Sequence, residues 1–319
     1  MIDLRSDTLT KPTPDMLAAM AAAEVGDEQY REDPTVNELQ RRMAELLGHE
    51  AALFLPTATM ANQAALRAQT TPGSTLLAEE RTHVMVYEAG GPAIHSGLVM
   101  RSVPGEEGRL SVEQIETEPE LGPGGIVVLE NTHRSSGGRV WPVDAFRAAV
   151  DAAHERGARV HLDGARLFNA SVAAQLPPAD WARHADSVTI CFSKGLGCPL
   201  GAVLASSTAT VERAWEGKFL LGGALRQSGV VAAAALYALD HNVERLAEDH
   251  ARARVLDPEA ETNFAVLEDR PGLQESLLER GLLVGNLRPG WLRAVTYLGV
   301  SDDDVEAAAA ILAELHVAA

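Results

Sequence analysis

The sequence predicts an α/β protein, with a mainly parallel sheet covered by helices and a small C-terminal α+β unit behind it. Two observations carry this expectation. Short apolar runs bounded by turn residues alternate with Ala- and Leu-rich amphipathic stretches, which is the pattern of repeated strand–helix units. Near the C-terminus the alternation gives way to closely spaced short strands and one closing helix. With 319 residues, 46% of them hydrophobic, the chain can bury a large core and has room for more than one domain.

The expected strands, in order, are 51–56 (AALFLP), 74–79 (STLLAE), 97–103 (GLVMRSV), 125–131 (GIVVLEN), 158–164 (ARVHLDG), 186–193 (DSVTICFS) and 201–206 (GAVLAS). Helices are expected between them at 34–47, 59–69, 142–156 and 207–216. A long Ala-rich helix over 228–254, with Asp, Glu and Arg on its polar face, would join a large domain (1–250) to a small one (251–319). The runs ETNFAVLE, GLLVGN and WLRAVTYL and a helix from about 301 would build that small domain.

A net charge of −18 argues against nucleic-acid tracking and against binding to anionic membranes, since both need clustered Lys and Arg. Small molecules and other protein chains are the expected partners. No apolar run approaches the ~20 residues that cross a bilayer. Two cysteines and an N-terminus without signal-peptide features point to a reducing, cytoplasmic setting.

One lysine stands out. Lys194 is the only lysine between Lys11 and Lys218, and it follows an apolar run in CFSKGLGCPLGA. Ligands of such sheets bind beyond the carboxyl ends of the strands, the flanking glycines permit close backbone approach, and Phe192 and Leu196 are apolar neighbours. An amine in that setting can attack a carbonyl, and its strongest known use is a Schiff base with pyridoxal phosphate. That cofactor needs an acid beside its pyridine nitrogen, and Asp163 ends the strand VHLDG. Its phosphate needs amides at a helix start; in FLPTATMANQ, Ala58, Thr59 and Met60 could supply them, with Ser193 beside the lysine. His83, in the loop after strand 74–79, could cover the ring. Helix capping at Thr57, Thr59 and Asp163 would account for some of the same residues.

The segments IDLRSDTLTKP, VGDEQYREDPTVNELQ, ALFLPTATMANQ, HVMVYEAGG, LENTHRSSGG, HLDGARLFNA, SKGLGCPLG and GGALRQSG, in this order, resemble the low-specificity L-threonine aldolases. The resemblance implies the aminotransferase-like fold (fold type I of pyridoxal-phosphate enzymes), retro-aldol cleavage of threonine or allo-threonine to glycine and an aldehyde, and a homotetramer with shared sites. It implies that Lys194 carries the cofactor as a Schiff base, that Asp163 pairs with the pyridine nitrogen, and that His83 stacks on the ring. It further implies that Arg166 lies by the cofactor and the substrate carboxylate, with Ser6 and Arg293 completing the carboxylate clamp. Thr59, the Ala58 amide and Ser193 would hold the phosphate, and Arg226 would reach a neighbour's phosphate. Tyr30 and Lys218 would enter a neighbour's site, and His133 would face the β-hydroxyl. No metal is implied. The base is left among His83, His133 and a phosphate-bound water.

Four positions depart from the family pattern. Ala58 and Ala224 stand where glycine is usual, Arg31 where a small residue is usual, and Arg134 where Asn is usual. A Cβ at Ala58 would crowd a loop that needs positive φ. The passage from the long helix to the next strand is about a dozen residues shorter than usual, which predicts a reduced small domain and a disturbed seat for Arg293. Another fold-type-I activity, β-elimination or racemisation, is the alternative on the same frame. A nucleotide-binding reading of GLGCPLG lacks the downstream acidic residue it needs.

Overall fold

Two sheets organise the chain, and the computed structural model describes residues 1–317. The larger sheet contains β2 (Ala51–Leu55), β3 (Thr75–Glu79), β4 (Val99–Val103), β5 (Ile126–Glu130), β6 (Arg159–Asp163), β7 (Ser187–Cys191) and β8 (Ala202–Ser206). Its seven strands run in the order β2-β8-β7-β6-β5-β3-β4. Every apolar run expected to be a strand is one of them. β8 runs opposite to the other six strands. β3, β5, β7 and β8 are buried along their whole length, which is why they read as continuous apolar runs rather than as alternating ones.

Alternate side chains of β2 serve two cores, as the twofold strand period requires. Phe54 packs with Leu39 and Met43 of the helix Pro34–Leu47, while Leu53 and Leu55 pack with Ala61 and Ala65 of the helix Ala58–Gln69. Both helices start on a side-chain cap: Asp33 accepts from the Val36 N–H at 3.1 Å, and Thr57 accepts from the Met60 N–H at 3.1 Å.

The long helix expected over 228–254 is two helices, Gly229–His241 and Leu246–Leu256. The break falls at Asn242, whose Nδ2 donates to the Leu196 carbonyl at 2.8 Å. The interruption therefore braces the loop that carries Lys194. Helix Thr208–Leu220 runs further than expected, and Lys218 lies on its buried side.

The smaller sheet contains β1 (Ile2–Leu4), β9 (Phe264–Glu268), β10 (Leu282–Arg288) and β11 (Trp291–Val295), in the order β1-β10-β11-β9. Its edge strand comes from the extreme N-terminus, so the two ends of the sequence share one core, in which Leu4 packs with Leu282, Leu292 and Leu312. The short passage before β9 is firmly tied down. Asp257 accepts from the Val266 N–H at 2.9 Å, and Glu261 accepts from the Val140 N–H at 2.7 Å. Arg293 keeps its seat in β11, in register with Gly285 and Val266.

Arg31 does occupy a backbone that favours small residues, with φ 60°. Its guanidinium is held by Glu212 through bonds of 2.8 and 2.5 Å and lies over the Trp215 ring. These contacts offset the left-handed strain.

Candidate active site

β7, β6, β5 and β3 are consecutive and parallel, so their carboxyl ends open on one edge of the sheet. Lys194 follows β7, Asp163 ends β6, His133 follows β5 and His83 follows β3. β2 points the same way, because β8 is antiparallel to both β2 and β7. The start of helix Ala58–Gln69 therefore faces the same edge. Residues spread over more than a hundred positions of sequence are gathered by topology alone.

Asp163 is buried. Its Oδ2 accepts from Asn62 Nδ2 at 2.8 Å, and its Oδ1 accepts from the Ala165 N–H at 3.2 Å. Burial pushes its pKa up, but the charges of His83 and Lys194 and the Asn62 donor outweigh this and hold it below the ordinary carboxylate value. Asn62 is fixed in turn: its Oδ1 lies 3.0 Å from His161 Nε2, and His161 Nδ1 lies 2.7 Å from Ser187 Oγ. Burial lowers the His161 pKa to about 4, so the ring is neutral. It donates from Nε2 to the Asn62 carbonyl, which turns the Asn62 amide toward Asp163.

His83 Nδ1 lies 2.8 Å from Glu88 Oε1. A carboxylate only accepts, so Nδ1 bears the proton and Nε2 is free to accept one. Burial lowers the His83 pKa, but Glu88, Asp163 and Glu130 overcome it and the net shift is upward. Glu88 is buried and also accepts from Asn62 at 2.8 Å and from Gln63 at 2.5 Å. Polar atoms of His83, Glu88 and Asp163 all lie within 4.8 Å of one another. The Tyr87 ring is 5.5 Å from that of His83, and the Arg134 guanidinium covers Tyr87 at 4.1 Å.

Three residues were expected to clamp a carboxylate, and they stand differently. Arg166 is buried, and its fork is taken by Asp7, through Nε at 2.8 Å and Nη2 at 2.7 Å. Ser6 Oγ caps the following turn, accepting from the Thr8 N–H at 3.2 Å and from Thr8 Oγ1 at 2.8 Å. Arg293 is the open one. It is buried, yet Nε and Nη1 have no partner among the described residues. Burial and the nearby charges of Arg134 and Arg166 lower its pKa to about 10. A buried, unpaired guanidinium is costly unless an anion joins it.

His133 does not face an open space. Its side chain is 1% exposed, with Nε2 3.1 Å from Glu79 Oε2 and Nδ1 2.9 Å from Ser136 Oγ. Burial disfavours its charged form, but Glu130 and Glu79 raise its pKa above the ordinary value. Lys218 does not reach outward either: it is wholly buried, paired with Glu28 of its own chain and bonded to the Phe54 carbonyl at 2.7 Å. Tyr30 is 74% exposed, and among the described residues the Arg226 guanidinium bonds Asp27, at 3.2 Å. Ala58 opens its helix behind Thr57 and is not among the residues with positive φ, so its Cβ brings no left-handed strain. Thr59 is exposed one residue further on, and Ser193, partly buried, lies 3.3 Å by its Oγ from Cys191 Sγ.

Residues 3–279 match the family model described as Beta-eliminating lyase. Low-specificity L-threonine aldolase 1 of Arabidopsis thaliana is 36% identical over 333 residues, covering 95% of this chain and 93% of that protein. Low specificity L-threonine aldolase of Escherichia coli (strain K12) is 38% identical over 330 residues, covering 97% of this chain and 98% of that protein. The chain belongs to the low-specificity L-threonine aldolase family. Its fold matches that of the Leishmania major threonine aldolase with a TM-score of 0.84 at 20% identity, covering 99% of each chain.

Within this threonine aldolase framework, Asp7, Asn62, Glu88 and His161 join the candidate site through their contacts with Arg166, Asp163 and His83, and the sequence alone does not single them out. Asp7, Asn62 and His161 make their decisive contacts with residues far away in sequence, and Glu88, although it follows His83 closely, is one acidic residue among 45 with no pattern that marks it. His161 gave the only signal, as a histidine inside an apolar strand two positions before Asp163.

Proposed function

We propose that this chain cleaves L-threonine and L-allo-threonine, with related β-hydroxy-α-amino acids, to glycine and an aldehyde, using pyridoxal phosphate. One observation carries the reading: a lysine, a buried carboxylate and a histidine meet on one sheet edge, close to a buried arginine that has no anion. The residues fit the cofactor. Asp163 is kept as a carboxylate that can accept from a protonated ring nitrogen, and the free amides at the start of helix Ala58–Gln69 face the same edge. Thr59 and Ser193 add hydroxyls for the phosphate, and Lys194 supplies the amine for covalent attachment. When bound, the group supplies an electron sink for the Cα–Cβ bond that breaks.

The remaining steps belong to the protein. Arg293 takes the substrate α-carboxylate in its open fork, with Ser6 beside it, and so fixes the rotation about Cα. Asp7 keeps Arg166 in place rather than releasing it to the substrate, which makes Arg166 a wall of the site. His83 takes the β-hydroxyl proton at Nε2, while Glu88 holds the opposite nitrogen. A positioned base of this kind accelerates a reaction by roughly 10²–10⁴-fold. His83 is preferred to His133 because both nitrogens of His133 already face protein groups. The ring of His83 is also the flat partner for the cofactor. Since a methyl contact discriminates by only ~1–3 kcal/mol, the two threonine diastereomers should differ modestly.

The proposed assembly is a homotetramer in which the exposed Tyr30 and Arg226 serve a neighbour's site. The proposed division into domains at residue 250 requires one amendment, that β1 belongs with the small domain. A cytoplasmic setting fits two free, buried cysteines. Among the described residues, no helix is long and apolar enough to cross a membrane. The test is a product assay on purified protein loaded with pyridoxal phosphate. Glycine and acetaldehyde in equal amounts from L-threonine support the reading, whereas a 2-oxo acid with ammonia would assign the chain to β-elimination.

A further inference from the structure

Arg134 and Arg293 are two guanidinium groups without a carboxylate partner among the described residues, in a chain whose 45 acidic residues far outnumber its 27 basic ones. Most other arginines near the site are paired, Arg166 with Asp7 and Arg139 with Glu261. Arg134 is not a free surface side chain. Its backbone N–H donates to Glu130 Oε1 at 2.8 Å, and the other oxygen of the same carboxylate accepts from the His83 N–H at 2.6 Å. One buried carboxylate thus ties both segments together. The guanidinium lies 4.1 Å from the centre of the Tyr87 ring and bonds the Tyr87 hydroxyl, and that ring adjoins His83. The turn that carries Arg134 is joined to β10 by Arg288, which donates to the Ser135 carbonyl at 3.1 Å, and β10 pairs with the strand that holds Arg293. Repulsion between the two cations also contributes to the lowered pKa of Arg293.

We infer that Arg134 is a specificity-determining residue, which binds a second carboxylate on the β-substituent of the substrate and so favours dianionic β-hydroxy-α-amino acids over threonine. The inference rests on the proposed aldol cleavage. Arg293 takes the α-carboxylate, His83 faces the β-hydroxyl, and Arg134 lies on the His83 side, where the β-substituent must project. Tyr87 orients the guanidinium and shields one of its faces, so its edge is left to meet an anion. For 3-hydroxyaspartate the Cα–Cβ bond breaks, the hydroxyl proton passes to the base, and Cα is reprotonated, giving glycine and glyoxylate in balance.

The test compares kcat/KM for L-3-hydroxyaspartate, read as glyoxylate, with that for L-threonine, in the loaded wild type and in Arg134→Gln and Arg134→Lys. The ratio should exceed one in the wild type and fall at least about tenfold in Arg134→Gln, the scale of one charge-assisted hydrogen bond. Arg134→Lys should restore much of it. Calorimetric titration of the same proteins with L-aspartate and L-2-aminobutyrate reads the second carboxylate without any cleavage. The preference for aspartate should follow the same order. If threonine is not cleaved at all, the proposed function fails, and the titration still decides the role of Arg134. A wild type that does not prefer the diacids, or a preference unchanged in Arg134→Gln, overturns the inference.

Discussion

Arg166 and Asp7 form a bidentate ion pair, sealed from solvent, between the loop after β6 and the turn after β1. The pair joins the larger sheet to the N-terminal arm, and Asn263 adds a third bond to Asp7 at 3.3 Å. Arg166 also lies 5.0 Å from the centre of the Phe264 ring. An N-terminal segment that supplies one strand to the small sheet thereby also anchors Arg166 beside the candidate site.

Removing the carboxylate should be severe. Asp7→Asn leaves a buried guanidinium without its counter-charge, which is expected to cost about 3–5 kcal/mol. The pH dependence has a definite sign. Burial opposes ionisation of Asp7, but Arg166 dominates and lowers its pKa to about 2 from the ordinary 3.8. Its stabilisation is therefore complete above about pH 4 and is lost as pH falls through about 2. Urea unfolding should show this loss in the wild type, and that component should be missing in Asp7→Asn.

Glu88 raises the pKa of His83, so it sets the pH at which the imidazole becomes a base. If neutral His83 takes the β-hydroxyl proton, activity rises as pH increases through its raised pKa. Glu88→Gln removes the charge that favours imidazolium, and the acid limb of the kcat/KM profile should move to lower pH. An acid limb that stays in place would remove His83 from the role of base.

Ala58 is the first residue of a helix with a normal N-cap, so restoring the family's usual glycine should bring no benefit. Ala58→Gly is expected to leave cofactor affinity unchanged and to lower stability by up to about 1 kcal/mol, from added backbone freedom. Tighter cofactor binding in the glycine variant, measured by titration, would mean that the Cβ does obstruct the phosphate site.

The architecture was readable because buried parallel strands leave uninterrupted apolar runs, and because the strand ends marked Asp163 and Lys194 directly. What could not be read depended on contacts between distant segments. Asp7 meets Arg166, and Asn62 meets Asp163, only after the sheet has formed. The helix break at Asn242 coincides with a bond to the Leu196 carbonyl, and no Gly or Pro at 242–245 marks it in the sequence. The resemblance sets His133 facing the β-hydroxyl and Lys218 in a neighbour's site, and neither expectation takes account of their burial, His133 beside Glu79 and Lys218 against Glu28.

Asp163 accepts from Asn62 and also from the Ala165 N–H, so it could serve the site or the turn that follows it. Asp163→Asn separates these roles. If the carboxylate supports a protonated ring nitrogen, the cofactor should still bind while kcat falls at least about 10²-fold, the scale of one lost electrostatic partner. Full activity with a lower melting temperature would assign Asp163 to the turn alone.

Lys194 is the amine to which we propose the cofactor attaches. The chain has two other lysines, Lys11 and Lys218, so one experiment distinguishes them all. Loaded protein is reduced with borohydride and digested, and the modified peptide is identified by mass spectrometry. Modification is expected at Lys194, and is expected to be absent from Lys194→Ala along with all threonine cleavage. Modification at Lys11 or Lys218, or near-normal turnover by Lys194→Ala, would contradict it.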